Sequence, residues 1–373
     1  MQFSQILGKS EVKRQLLQQV QKDRIPHAQL FLAREGYGGL ALALAFATYL
    51  MCEQKTETDS CGQCGQCLKT NKFIHPDIHF SFPVVKQGEK KREITTSDDY
   101  LPEWREILSQ NPYMGLNEWM QQMDSDSQPN INVKECNDII HKLNMMSYES
   151  DYKVLIMWLP EYLDKEGNRL LKLIEEPTDN TFIILVAENQ NLVLKTILSR
   201  CQLIKVPKFE NKEVSQYIIE KLELPISKAE QIANLADGNI NLAMSIATDE
   251  APDFSDLLIS WLRIAYKSDP LEINKWISAV DGMTKNDQKN FLEYGLHFFN
   301  QFVFWMYTKS EEVNLTDKEK EIAGNMTKII NVTKAEAISA ILDEAIVNLH
   351  RNANLKILLF ADTLTIGDIV RGK

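Results

Sequence analysis

Four cysteines fall in one short stretch, Cys52, Cys61, Cys64 and Cys67, spaced C-x8-C-x2-C-x2-C. Thiolates are soft donors, and four of them suit a tetrahedral Zn²⁺ in a closed structural site. Gly62 and Gly65 let the chain bend so that three sulfurs face one point. An iron–sulfur cluster is the rival. Bacterial ferredoxin runs carry a fourth Cys shortly after the third, whereas Cys67 is followed by Leu68-Lys69-Thr70-Asn71. The other two cysteines, Cys136 and Cys201, lie far off, so the chain is not a disulfide scaffold. His75 and His79 are nearby, but four thiolates complete a ligand set without them.

Just before the cysteines runs Phe31-Leu32-Ala33-Arg34-Glu35-Gly36-Tyr37-Gly38-Gly39-Leu40. A working phosphate loop reads G-x-x-x-x-G-K-[ST] on a strand-to-helix turn, where backbone N–H groups cradle phosphate, the Lys neutralises it and the hydroxyl holds Mg²⁺. Aligned to that pattern, the first Gly is Ala33, the second is Gly38, the Lys is Gly39 and the hydroxyl residue is Leu40. Gly36, Gly38 and Gly39 permit the turn, but the cation and the metal ligand are gone. An ordinary glycine turn between strand and helix is the plainer alternative.

The elements around these residues follow from periodicity. Glu11–Val20 has helical spacing, Ala28–Ala33 is a short apolar strand, and Ala41–Leu50 is an apolar helix. Residues 86–130 are rich in charge and read as a partly flexible excursion from the core, with a short helical piece near Trp104–Leu108. Its Lys90-Lys91-Arg92 cluster reads as solvated surface. Asn132–Met146 is helical, Lys153–Trp158 is a buried-type strand, Thr181–Ala187 another apolar strand and Gln202–Val206 a last strand. Asn168–Glu176 and Asn191–Leu198 supply helices between them. Residues 1–207 are therefore predicted to form a mostly parallel α/β sheet covered by helices. Strand signals then fade. Val214–Leu222, Lys228–Leu235 and Ile240–Ala247 read as helices, Ala251-Pro252 as a linker, and the remainder as all-helical, with a stripe of Phe291, Leu292, Phe298, Phe299, Phe302 and Trp305 that reads as core or subunit contact.

The 373 residues allow two or three domains. The longest apolar run is too short to span a bilayer, and no signal-like segment opens the chain, so a cytoplasmic protein without membrane contact is expected. With 41 basic against 52 acidic residues the net charge is −11. That balance argues against tight autonomous binding to nucleic acid, which needs a basic surface.

The order of these motifs resembles the delta-prime subunits of bacterial replicative clamp loaders, a family within the AAA+ ATPase group. The likeness covers nearly the whole chain. It rests on Ile6-Leu7-Gly8, Pro26-His27-Ala28, the Phe31–Cys52 run, the four-cysteine knuckle, Asn168-Arg169-Leu170-Leu171-Lys172-Leu173-Ile174-Glu175-Glu176-Pro177 and Ser199-Arg200-Cys201. It implies an AAA+-like core at 1–207 with an inserted zinc knuckle at 52–67, a small helical lid at 208–250 and a helical collar at 251–373. It also implies structural zinc on Cys52, Cys61, Cys64 and Cys67. Arg200 matches an arginine finger offered to a neighbouring subunit; alone, it would read as a surface salt bridge.

An active relative would carry an Asp-Glu pair where this chain has Trp158 and Leu159, and a lid Arg where it has Asn241. The loop Lys and hydroxyl are missing as well. The resemblance thus implies a subunit with no catalytic residue in cis and no ATP hydrolysis of its own. Its partners would be the gamma/tau motor subunits and delta, with the sliding clamp and primer-template DNA met through the complex. Two other readings are a divergent AAA+ ATPase subunit that binds or hydrolyses ATP itself, and a zinc-dependent nucleic-acid-binding module.

Overall fold

The computed structural model describes residues 1–85, 95–123, 127–248, 254–308, 313, 315, 317–350 and 353–372. The chain divides into two compact units, Met1–Glu213 with Gly238–Asn241, and Val214–Asp237 with Leu242–Lys373. Among the described residues no helix is long and apolar enough to cross a membrane.

The first unit is built on five parallel strands. Its elements are α1 (Ser10–Gln21), β1 (Ala28–Leu32), α2 (Gly39–Met51), α3 (Gly65–Asn71), β2 (Ile78–Ser81), α4 (Leu101–Gln110), α5 (Leu116–Gln122), α6 (Val133–Asn144), β3 (Lys153–Trp158), α7 (Leu171–Glu175), β4 (Thr181–Ala187), α8 (Lys195–Leu198) and β5 (Gln202–Lys205). The strand order is β2-β3-β4-β1-β5. Register places Leu30 beside Leu185 and Leu203, and Val154 beside Phe182 and Ile78. β3 and β4 are buried at every residue, which is why their sequences are continuous apolar runs rather than alternating ones. Side chains alternate across the sheet. Phe31 packs on Phe46 of α2, while Leu30 joins Ile139 and Leu143 of α6, Ile174 of α7 and Ile197 of α8 on the other face. α2 is buried along its whole length, consistent with its nearly all-apolar composition.

Four strands lie where the sequence places them. β2 is an addition: its four residues, Ile-His-Phe-Ser, are too short and too polar a run to stand out. The expected helix at 168–176 is α7 preceded by a 3₁₀ segment, Pro160–Leu170.

The reading of 86–130 as an excursion is corrected. Its residues 86–94, which include Lys90-Lys91-Arg92, and 124–126 lie outside the described residues. The rest is core. Trp104 and Trp119 are fully buried. Phe82 stacks on Trp104 with ring centroids 4.0 Å apart, and the Trp119 indole N–H donates to Pro83 O at 2.7 Å. Apolar burial by two tryptophans outweighs the charged flanks that suggest solvent exposure.

The second unit is all-helical. α9 (Asn211–Leu222), α10 (Ile226–Ala236) and α11 (Ile240–Ala247) lead to α12 (Phe254–Lys267), α13 (Pro270–Asp281), α14 (Lys285–Thr308), α15 (Asp317–Met326), α16 (Val332–His350) and α17 (Leu355–Arg371). The linker expected at Ala251-Pro252 lies outside the described residues. The aromatic stripe is core: Phe291, Phe298, Phe299 and Phe302 are buried with Leu292, and Trp305 is half-buried against them. Trp261 stacks flat on Trp276 at 5.4 Å, and its indole N–H donates to Thr363 Oγ1 at 2.7 Å. The expected order, a parallel α/β core followed by an all-helical region, is present.

Candidate metal centre and altered phosphate loop

The four expected cysteines come together. Cys52 follows the last turn of α2, Cys61 sits in the connecting loop, Cys64 caps α3 and Cys67 lies in its first turn. Their Sγ atoms all fall within 4.8 Å of one another. Cys61 and Cys67 sulfurs are 3.9 Å apart. A tetrahedron of sulfurs around Zn²⁺ has edges of about 3.8 Å, whereas a disulfide needs about 2 Å. All six cysteines of the chain are free thiols.

Backbone N–H groups point at the sulfurs in succession: Cys61 N–H to Cys52 Sγ at 3.2 Å, Cys64 N–H to Cys61 Sγ at 3.3 Å, and Cys67 N–H to Cys64 Sγ at 3.4 Å. Such donors favour thiolate over thiol. The N–H groups of Gln63 and Cys64 bring the Cys61 thiol down to about 6, while burial pushes Cys52 and Cys67 up. A divalent cation removes that burial penalty, so the donor set fits zinc. Gly62 takes φ +73°, as the bend requires. Gly65 is different: it is an ordinary helical residue with open space around it.

The knuckle is tied to the N-terminal segment. Asp59 accepts the N–H groups of Phe3 and Ser4 at 2.9 and 2.8 Å, and Gln2 Nε2 donates to Ser60 O at 2.6 Å. His75 is buried, with Nε2 on Gln66 Oε1 at 2.7 Å and Nδ1 accepting the Asp77 N–H at 3.1 Å. Both ring nitrogens are thereby used structurally. Burial depresses His79 to about 4. Among the described residues no other three or more His, Cys, Asp or Glu side chains converge this way.

The glycine turn joins β1 to α2, with Gly36 at φ +71° and Gly38 at φ +84° as the α2 N-cap. Gly39 has no room for a side chain: a Cβ there would lie 2.6 Å from Ala33 Cβ. Gly36 is covered by Asn239, whose Oδ1 would be 1.8 Å from an added Cβ. The loop also carries a buried carboxylate, Glu35. Asn241, in the lid-Arg position, donates its amide to Glu35 Oε1 at 3.3 Å and to Glu118 Oε1 at 2.8 Å, and accepts from Asn111 Nδ2 at 2.9 Å. Burial, then the nearby Glu35 charge, raises Glu118. Two carboxyl groups at the loop are unfavourable to a polyphosphate.

The Asp-Glu positions are equally altered. Trp158 packs against Trp104 at 5.3 Å, and buried Leu159 spends its N–H on Val186 O at 2.8 Å. Both positions are therefore occupied by buried apolar side chains.

Arg200 lies elsewhere, just past α8. Its Nε–H donates to Glu175 Oε1 at the end of α7, and its Nη1 donates to Thr196 O at 2.8 Å and Ser199 Oγ at 3.2 Å. Sequence reading does not single out Glu35, Glu118 or Glu175. Glu35, a charge inside a glycine turn, and Glu175, within the Asn168–Pro177 motif, have a local signal; Glu118 has none.

A family model described as "DNA polymerase III, delta subunit" matches residues 8–210. The DNA polymerase III subunit delta-prime of Bacillus subtilis (strain 168) is 23% identical over 245 residues, covering 66% of this chain and 60% of that protein. Subunit tau of the same organism is 24% identical over 264 residues, covering 68% of this chain and 38% of its own length. The match thus spans less than two thirds of either relative. Among solved structures, a DNA polymerase III gamma subunit-related protein from Thermotoga maritima covers 95% of this chain and 100% of its own, at 15% identity and a TM-score of 0.37. Because the family model takes in more than half of the sequence, the chain belongs to the DNA polymerase III delta-prime family.

Proposed function

We propose that this chain is a catalytically silent subunit of a replicative clamp loader. The observation that carries the reading is the altered nucleotide site. The loop has Gly39 and Leu40 in place of Lys and hydroxyl and carries Glu35, joined to Glu118 through Asn241, and Trp158 and Leu159 stand in place of two acids. Charge on a transferring phosphoryl group needs cations and metal at those points. Residues 1–207 serve as an AAA+-like core, 208–250 as a lid and 251–373 as a collar joining a ring with gamma/tau motor subunits and delta. The sliding clamp and primer-template DNA are met through that assembly.

Cys52, Cys61, Cys64 and Cys67 would hold the zinc, which acts as a structural cross-link between α2 and α3. Arg200 acts in trans. An arginine is always charged and presents a planar fork, so it stabilises a neighbour's γ-phosphate. The likeness to tau keeps one alternative in play, a divergent subunit that turns over ATP itself.

ATPase assays separate the two. The isolated chain should be silent with Mg²⁺-ATP, and the reconstituted loader should lose at least about tenfold of its DNA- and clamp-stimulated rate with Arg200→Ala. Turnover by the repurified lone chain would establish the alternative. An unchanged complex rate would remove Arg200 from the mechanism.

A further inference from the structure

Arg200 is held on a firm base. Ile197, three residues before it, is fully buried with Leu173 and Ile174 of α7, and Cys201 packs on the same cluster. Thr196, whose carbonyl receives Nη1, is itself fixed by its hydroxyl to Asn168 Oδ1 at 3.1 Å. Ser199 Oγ, the second Nη1 acceptor, donates to Thr196 O at 3.1 Å. A guanidinium has five N–H donors. Three are used within the chain: both on Nη1, and the Nε–H on Glu175. Among the described residues Nη2 makes no hydrogen bond, so its two hydrogens remain for an acceptor outside.

We propose that Glu175 is the positioning residue of Arg200: by accepting the Nε–H it fixes the plane of the guanidinium and leaves the Nη2 edge to a phosphate oxygen on a neighbouring subunit. The inference rests on the arginine-finger reading above. As an ion pair the contact is worth little, because both side chains are partly exposed, at 33% and 45%. Its effect is orientational. A long side chain otherwise samples many rotamers, and misplacing a catalytic group by about 1 Å costs up to about 100-fold in rate.

The test uses the reconstituted loader, with complexes matched for subunit content by native mass. Glu175→Ala removes the acceptor. Glu175→Gln keeps a neutral oxygen that accepts the Nε–H. We expect Glu175→Ala to lower the stimulated kcat about three- to tenfold, with KM for ATP unchanged, and Glu175→Gln to return it to within about twofold of wild type. Arg200→Ala combined with Glu175→Ala should be no slower than Arg200→Ala alone. The proposal fails if Glu175→Ala is as fast as wild type or faster while Arg200→Ala is slow. It also fails if Glu175→Gln is as slow as Glu175→Ala, or if Glu175→Ala slows the Arg200→Ala complex further. An unaffected Arg200→Ala complex would instead sink the finger reading itself.

Discussion

The cysteines of the knuckle do not all contribute alike. Cys52 and Cys67 are buried, so their thiolates depend on a central cation, whereas Cys61 is already favoured as thiolate by two backbone donors. The metal therefore contributes most where water is excluded. Replacing Cys67 by Ala should leave a chain with little or no bound zinc, and Cys136→Ala should keep about one equivalent, since Cys136 packs in the other face of the sheet. Metal content by mass spectrometry after gel filtration decides this. Full zinc on the Cys67→Ala protein would remove the knuckle as the site. The Asp59 and Gln2 contacts make a second consequence: loss of metal should loosen the N-terminal residues first, seen as faster amide exchange at Phe3 and Ser4.

Between elements, the most informative group is Glu161. It lies just after β3, and its Oε1 accepts the N–H groups of Glu188 and Asn189, just after β4, at 2.6 and 2.8 Å. Oε2 is buried and has no partner among the described residues. Burial raises the carboxyl to about 7. An acid with a raised folded-state pKa favours the folded chain in its protonated form. Its penalty therefore sets in as pH rises above the unfolded value of about 4.5 and is complete above about 7. Glu161→Gln retains the Oε1 acceptor without the charge. Its stability relative to wild type should rise by about 2 kcal/mol between pH 5.5 and pH 8, measured by urea denaturation. A constant difference across that range would mean that Glu161 is not buried as an acid. The same elements show what is legible in the sequence. β1, β3 and β4 are readable because they are apolar runs bounded by turn residues, and the cysteines because ligand spacing is local. The Trp104–Trp119 core is not, because its partners Phe82 and Trp158 come from other parts of the chain and its flanks are charged. The contacts of Glu35, Glu118 and Asn241 escape for the same reason: these residues meet only once the sheet is folded.

At the scale of the whole molecule, charge sets what the chain does alone. A protein that grips DNA by itself neutralises several phosphates and releases their counterions, giving an affinity that falls steeply with salt. This chain has 52 acidic residues against 41 basic ones. At pH 7 its average field repels a polyanion, although one local patch of opposite sign would be enough to reverse that at short range. The proposed role needs no such patch, because DNA is met through the ring. Anisotropy of a labelled primer-template at about 50 mM salt should therefore show no saturable binding by the lone chain up to about 10⁻⁴ M, with or without zinc. Binding near 10⁻⁶ M that weakens with a log–log salt slope of several units would place phosphate contacts on this chain. Its loss on stripping the metal would assign them to the knuckle, and the zinc-dependent nucleic-acid reading would then replace a purely structural one. Silence in that assay, together with slower turnover in a loader carrying Arg200→Ala, would leave the guanidinium as the group through which this subunit acts on the reaction.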